Sequence, residues 1–206
     1  MRVESAFDPH LAPGPGMSVE VDPHDAAVRS RRRFLQTAGA GLLLAPLGAA
    51  FAQPSPVRSL SLMHTHTGEA LSAEYCSNGV YQVSCLAQVN RFLRDFRNGE
   101  THAIDPRLLD ILYQLQGLAN RAATYEVISG YRSPQTNAAL HHASAGVAEH
   151  SLHMDGRAID VRMTGFPTRK LRDLALSLRS GGVGYYARSD FVHLDTGRVR
   201  SWGDRA

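Results

Sequence analysis

Residues 30–52 have the layout of an export address, and this sets how much of the chain is left to fold. Ser30-Arg31-Arg32-Arg33-Phe34-Leu35-Gln36 is a twin-arginine motif. An uncharged stretch rich in Gly, Ala and Leu follows from Thr37 to Phe51, and Ala50-Phe51-Ala52 supplies a small-x-small cleavage site before Gln53. The apolar run falls short of the roughly 20 residues that a membrane-crossing helix needs. The expected organisation is therefore a disordered N-terminal extension over 1–29 (or a true start at Met17), a removable twin-arginine signal peptide over 30–52, and one folded domain over 53–206. The predicted product is periplasmic, is handled in folded form by the twin-arginine translocase, and keeps no permanent membrane anchor.

Composition narrows the function classes. Apolar residues make up 43% of the chain, enough to build a packed core, and the net charge is only +3. No basic stripe with interleaved aromatics is present, so no nucleic-acid partner is expected. Cys76 and Cys85 are the only cysteines. They flank a turn-like Ser77-Asn78-Gly79, and an oxidising compartment would permit a bridge between them.

Periodicity gives an order of elements. Leu60–Gly68 alternates as a strand ending in a turn, and Tyr75–Val83 reads as hairpin-like. From Cys85 the spacing becomes helical, with Leu86, Val89, Leu93 and Phe96 on one face and Asn98-Gly99 as the stop. Asp105-Pro106 predicts a cap and first turn for a strongly apolar helix through Leu118. Tyr125–Ser129 and Ala158–Met163 read as strands, with a helical turn and loop between them. Thr168 is expected to cap a helix that Gly181-Gly182 stops, and Val183–Tyr186 and Phe191–Leu194 read as two final strands. The pattern is α+β, with helices packed on a small antiparallel sheet.

The residues able to do chemistry cluster late. Two imidazoles and one carboxylate make a three-ligand zinc site that leaves one position for water, the arrangement a hydrolytic site requires. His153 and Asp160 stand seven positions apart, and a turn at Asp155-Gly156 followed by a strand would bring them to one side, with His193 arriving from a neighbouring strand. Asp190, three residues before His193, is a candidate general base. Arg132 is a candidate for holding a substrate carbonyl or carboxylate. Taken singly, each has a plain alternative: a satisfied core histidine, a strand-edge carboxylate, an ordinary salt-bridge arginine. His64-x-His66 reads better as strand residues than as ligands, and His141, His142 and His150 fall in the segment before His153, where they could line a cleft. Trp202, Tyr185 and Tyr186 could stack on a ligand or simply pack.

Ser151-x-His153-x-x-Gly156-x-Ala158-x-Asp160, followed by Val192-His193-x-Asp195, resembles the zinc D-Ala-D-Ala metallopeptidase family. Ser129-Gly130-Tyr131-Arg132-Ser133-Pro134, Gly181–Tyr186 and Asp195–Trp202 are similar to its small, twin-arginine-exported murein endopeptidase branch. The resemblance covers nearly all of the expected mature chain. It implies the hedgehog/D-Ala-D-Ala peptidase-like fold, His153, Asp160 and His193 as ligands of Zn2+, Arg132 and Ser151 as substrate contacts, and peptidoglycan peptide stems as the substrate, cut at meso-diaminopimelate-containing or D-Ala-containing cross-links. It implies a base either three residues before the last ligand, where Asp190 stands, or a histidine two before it, where this chain has Phe191. Asp195 is the alternative base or an orienting group. The expected activity is a zinc-dependent D,D-endopeptidase opening cell-wall cross-links, with a D,D-carboxypeptidase trimming terminal D-Ala, or a non-catalytic zinc-containing wall-binding protein, as the alternatives.

Overall fold

A computed structural model describes residues 57–143 and 148–203, all within the compact unit Ala50–Ala206. The export segment, the extension before it and the proposed cleavage site lie outside the described residues. The elements run β1 (Arg58–His64), β2 (Ala70–Ser77), β3 (Val80–Tyr81), α1 (Val83–Phe92), α2 (Pro106–Leu118), β4 (Thr124–Ser129), α3 (Pro134–Ala143), a 3-10 turn (Leu152–Asp155), β5 (Ala158–Met163), α4 (Thr168–Leu178), β6 (Gly182–Tyr186), β7 (Phe191–Asp195) and β8 (Arg200–Gly203). Among the described residues no helix is long and apolar enough to cross a membrane.

The strands form one eight-stranded sheet in the order β3-β2-β1-β4-β5-β7-β6-β8. It is larger than the sequence pattern suggested and not wholly antiparallel. β1 pairs parallel with β4, because α1 and α2 lie between them in the chain and supply the crossover that parallel neighbours need. β8 pairs parallel with β6 on the edge. The other pairings are antiparallel.

Burial follows the strand period. On β5, Ile159, Val161 and Met163 enter the core while Ala158 and Asp160 face the other way; on β7, Val192 and Leu194 enter the core while His193 and Asp195 do not. α2 supplies Leu108, Leu109, Leu112 and Leu115, all fully buried. Its start is as expected: the Asp105 carboxylate accepts from the Arg107 backbone N–H, and Pro106 occupies the first turn. The cysteines are unbridged, Cys76 buried in β2 and Cys85 half-buried in α1.

Three helix ends differ from the sequence reading. α1 stops at Phe92, not at Asn98-Gly99, because the chain turns to let Asp95 accept from Gly99 and donate to Glu100. Thr168 does not cap α4. Pro167 holds the cap position without a side-chain bond, and the Thr168 hydroxyl donates to Asp190 instead. The same helix ends at Arg179, which takes a left-handed conformation at φ 51° before the glycine pair is reached.

Candidate metal centre

The segment from Ser151 to Asp160 is shaped to deliver two side chains to one point. Ser151 caps the 3-10 turn, its hydroxyl accepting from the His153 backbone N–H, and this places His153 in the interior. Gly156 then reverses the chain at φ 65°, and a Cβ there would stand 2.1 Å from the Ala103 carbonyl oxygen, so only glycine fits. β5 begins two residues later and carries Asp160 directly opposite His193 of β7.

The three side chains converge through one atom each. His193 Nδ1 lies 2.9 Å from Asp160 Oδ1, His153 Nε2 lies 3.2 Å from His193 Nδ1, and His153 Nε2 lies 3.3 Å from Asp160 Oδ1. Donors held about 2.0–2.1 Å from a tetrahedral zinc ion stand about 3.3 Å from one another. The triangle therefore has the size of one face of such a coordination shell, and these three form a group able to hold a metal ion. A tetrahedral ion would keep one position open.

Each imidazole is oriented from behind. His153 Nδ1 donates to the Gly130 carbonyl at 2.6 Å, which leaves Nε2 as the free lone pair. His193 Nε2 donates to Asp195 Oδ2 at 3.2 Å, which leaves Nδ1 as its free lone pair. Gly130 can occupy its place because it has no side chain: a Cβ would come 2.6 Å from the Leu93 carbonyl oxygen. Asp195 is itself fully buried, and it accepts from the backbone N–H groups of Gly182 and Gly197 and from both terminal nitrogens of Arg200.

The electrostatics suit a cation. Burial pushes the Asp160 carboxyl up, but the two histidines outweigh it and hold its pKa well below the usual carboxylate range. Burial lowers the pKa of His153, favouring the neutral form that ligates. Burial also acts to lower His193, yet its bonds to Asp160 and Asp195 win and raise it. Arg132 is lowered by burial although Asp160 opposes the shift, and its guanidinium stands 3.7 Å from Asp160 Oδ2.

The family model described as peptidoglycan L,D-endopeptidase MepK, of the Peptidase_M15_2 class, matches residues 52–202. The chain belongs to this family. It is 44% identical over 186 residues to the peptidoglycan L,D-endopeptidase MepK of Escherichia coli strain K12, covering 88% of this chain and 100% of the relative. It is 40% identical over 179 residues to the probable peptidoglycan L,D-endopeptidase MepK of Haemophilus influenzae, covering 84% of this chain and 96% of the relative. No solved structure matches the chain. As a member of this peptidase family the chain is a metal-dependent peptidase. The relatives are named for an L,D bond, where the sequence reading put a D,D bond first.

The triad opens onto a cavity of about 400 Å³ that Arg132 and Ser151 also line, and that Tyr186, Phe191 and Trp202 wall. Arg132 is nearly buried, and its Nε has no hydrogen-bond partner. Asn137 NH2 donates to the carbonyls of Ala148 and Glu149 while its Oδ1 accepts from Arg132 Nη1. That tie carried no sequence signature, and neither did the Gly130 carbonyl, since any residue offers one.

Asp190 does not join the triad. It sits in the turn before β7 at φ 52°, accepts from Thr168, faces Arg162 Nη1 at 3.7 Å, and lines a separate cavity with Glu126 and Phe166. Three residues of strand span about 10 Å, which explains the separation from His193. Asp195 is brought to the site, but behind His193, with all of its bonding capacity in use. His64 and His66 pack against Phe96, and His141 and His142 line a cavity with Glu149 and Met154. Tyr185 turns inward to Arg172.

Proposed function

We propose that this protein is an exported, zinc-dependent endopeptidase that hydrolyses L,D peptide bonds in peptidoglycan cross-links. The observation that carries the reading is the triangle of His153 Nε2, Asp160 Oδ1 and His193 Nδ1, which matches a zinc coordination face while the second nitrogen of each histidine is already occupied. Their residue types also fit zinc, which accepts imidazole and carboxylate donors together.

When bound, the zinc ion would supply Lewis acidity and lower the pKa of water. The chain's own residues do the rest. Arg132, which lines the cavity beside Asp160, is placed to donate to a substrate carbonyl oxygen and to hold it as negative charge develops. Ser151 shapes the floor by fixing His153, and its hydroxyl lines the cavity. Asp195 and Gly130 keep both imidazoles in the tautomer that presents a lone pair. Tyr186, Phe191 and Trp202 exclude water from one side. Export by the twin-arginine translocase would bring the folded enzyme to the wall.

Digestion of purified cross-linked peptidoglycan tests the reading. The zinc-loaded protein should convert cross-linked dimers to monomers at an L,D bond identified by mass spectrometry, and a chelator should stop it until zinc is restored. Release of terminal D-Ala alone would make it a carboxypeptidase. Intact dimers with zinc bound would favour a wall-binding role.

A further inference from the structure

We propose that His150 is the residue that carries the proton during bond cleavage; this rests on the endopeptidase reading above. Hydrolysis of an amide needs a group that takes a proton from the attacking water and returns one to the leaving nitrogen. The sequence nominated Asp190 and Asp195, and neither reaches the cavity. Asp190 faces Arg162 and Thr168 beside another cavity. Asp195 lies behind His193, saturated by Arg200 and two backbone N–H groups.

Among the described residues, the cavity lining contains no carboxylate other than Asp160, which belongs to the triad. Its remaining groups with exchangeable protons are Arg132, Arg200, Tyr186, Ser151, Trp202 and His150. Guanidinium groups do not give up protons in proteins, and indole nitrogen has no lone pair to offer. Ser151 is engaged in capping, and the Tyr186 hydroxyl already accepts from Trp202 Nε1 at 2.9 Å. His150 alone is an imidazole outside the triad, and imidazole is the side chain suited to exchanging a proton near neutral pH.

The backbone on both sides of His150 is pinned. Asn137, itself 2% exposed, donates to the carbonyls of Ala148 and Glu149 at 3.1 and 2.9 Å. On the other side Ser151 caps the turn that carries His153. The backbone that carries exposed His150 beside the cavity is thus held by two anchors, which also bond Arg132 and a triad member. A merely solvated loop histidine would need neither anchor.

In the proposed step a His150 ring nitrogen takes one proton from water as the water oxygen bonds to the carbonyl carbon. The imidazolium then delivers that proton to the amide nitrogen as the C–N bond breaks. The second water proton stays with the new carboxyl group and ionises into the medium.

The test uses zinc-loaded full-length protein and its H150A and H150Q variants on cross-linked muropeptides. Expected are a fall in kcat on the order of 10²–10⁴, KM within a few-fold of the parent, one zinc retained per chain, and an unchanged unfolding temperature. Added imidazole should restore part of the H150A rate and leave the parent rate unaltered. Long-range 1H–15N spectra should show zinc fixing the rings of His153 and His193 while the His150 ring nitrogens continue to exchange their proton. A full rate in H150A beside an active parent overturns the assignment alone. Loss of zinc would make His150 a ligand, and a change confined to KM would make it a binding group; both overturn it. An inactive parent overturns the endopeptidase reading and this assignment together.

Discussion

Replacing Asp195 with Asn changes one atom behind the metal centre and should be felt at its front. The carboxylate accepts from Gly182 N at 3.1 Å, Gly197 N at 2.8 Å, Arg200 Nη1 at 3.0 Å, Arg200 Nη2 at 2.8 Å and His193 Nε2 at 3.2 Å. An Asn oxygen at the Oδ1 position keeps the first three. The amide NH2 then occupies the Oδ2 position, where it faces the Arg200 and His193 donors. His193 can relieve the conflict by moving its proton from Nε2 to Nδ1, but Nδ1 is the atom aimed at Asp160 and the metal position. Zinc affinity should fall about 10–100-fold, the usual cost of losing such a supporting partner. Breaking a buried charge pair costs about 3–5 kcal/mol; because Arg200 keeps 32% of its side chain exposed, about 2–3 kcal/mol of stability is expected. Chelator competition measures the first quantity and urea unfolding of the metal-free protein the second. Zinc affinity within twofold of the parent, together with a collapsed rate, would refute the reasoning and make Asp195 the base.

Asp190→Ala should leave hydrolysis within about threefold of the parent, since its carboxylate engages Thr168 and Arg162 away from the triad; initial rates on muropeptides check this, and a loss on the order of 100-fold would restore it as the base. Asp95 is fully buried. Its burial opposes ionisation, but hydrogen bonds from Thr136, Ser133 and Arg97 win and hold its pKa below the ordinary value. A carboxyl with a depressed folded pKa stabilises the fold above its unfolded value of about 3.9 and loses that contribution as pH falls through the lower folded value. Between about pH 4 and pH 2 the metal-free parent should therefore lose stability more steeply than Asp95→Asn, as followed by urea midpoints; parallel slopes would contradict it.

Much of the architecture was legible because local chemistry and tertiary fate agreed. Asp105-Pro106 and the leucines after it specify a helix start and a buried face without reference to the rest of the chain. The alternation in Ala158–Met163 gave a strand with Asp160 turned away from the core. Sequence went astray where a residue had two possible partners. Thr168 is a good cap by type, yet its hydroxyl serves Asp190, and the apolar spacing through Phe96 continued after the backbone had already turned at Leu93. β8 has no periodicity to betray it, since it is held by parallel pairing to β6. Asp190 stands three residues before His193 in the chain, but β7 runs straight between them, and its carboxylate ends beside Thr168 and Arg162.

Trp202 leans over Gly184 beside His193, its ring centroid 5.1 Å from the imidazole, and a Cβ on Gly184 would stand 2.8 Å from Trp202 Cε2. Arg200, which neutralises Asp195, comes from the same strand, β8. The centre is thus assembled in three instalments along the chain: His153 and Asp160, then His193, and last the strand that shelters one imidazole and balances the charge behind it. A nascent chain that has not yet extruded residues 200–203 has all three donors but lacks that shelter and counter-charge. The last described strand thus completes the surroundings of a centre whose three donors all precede it in the chain.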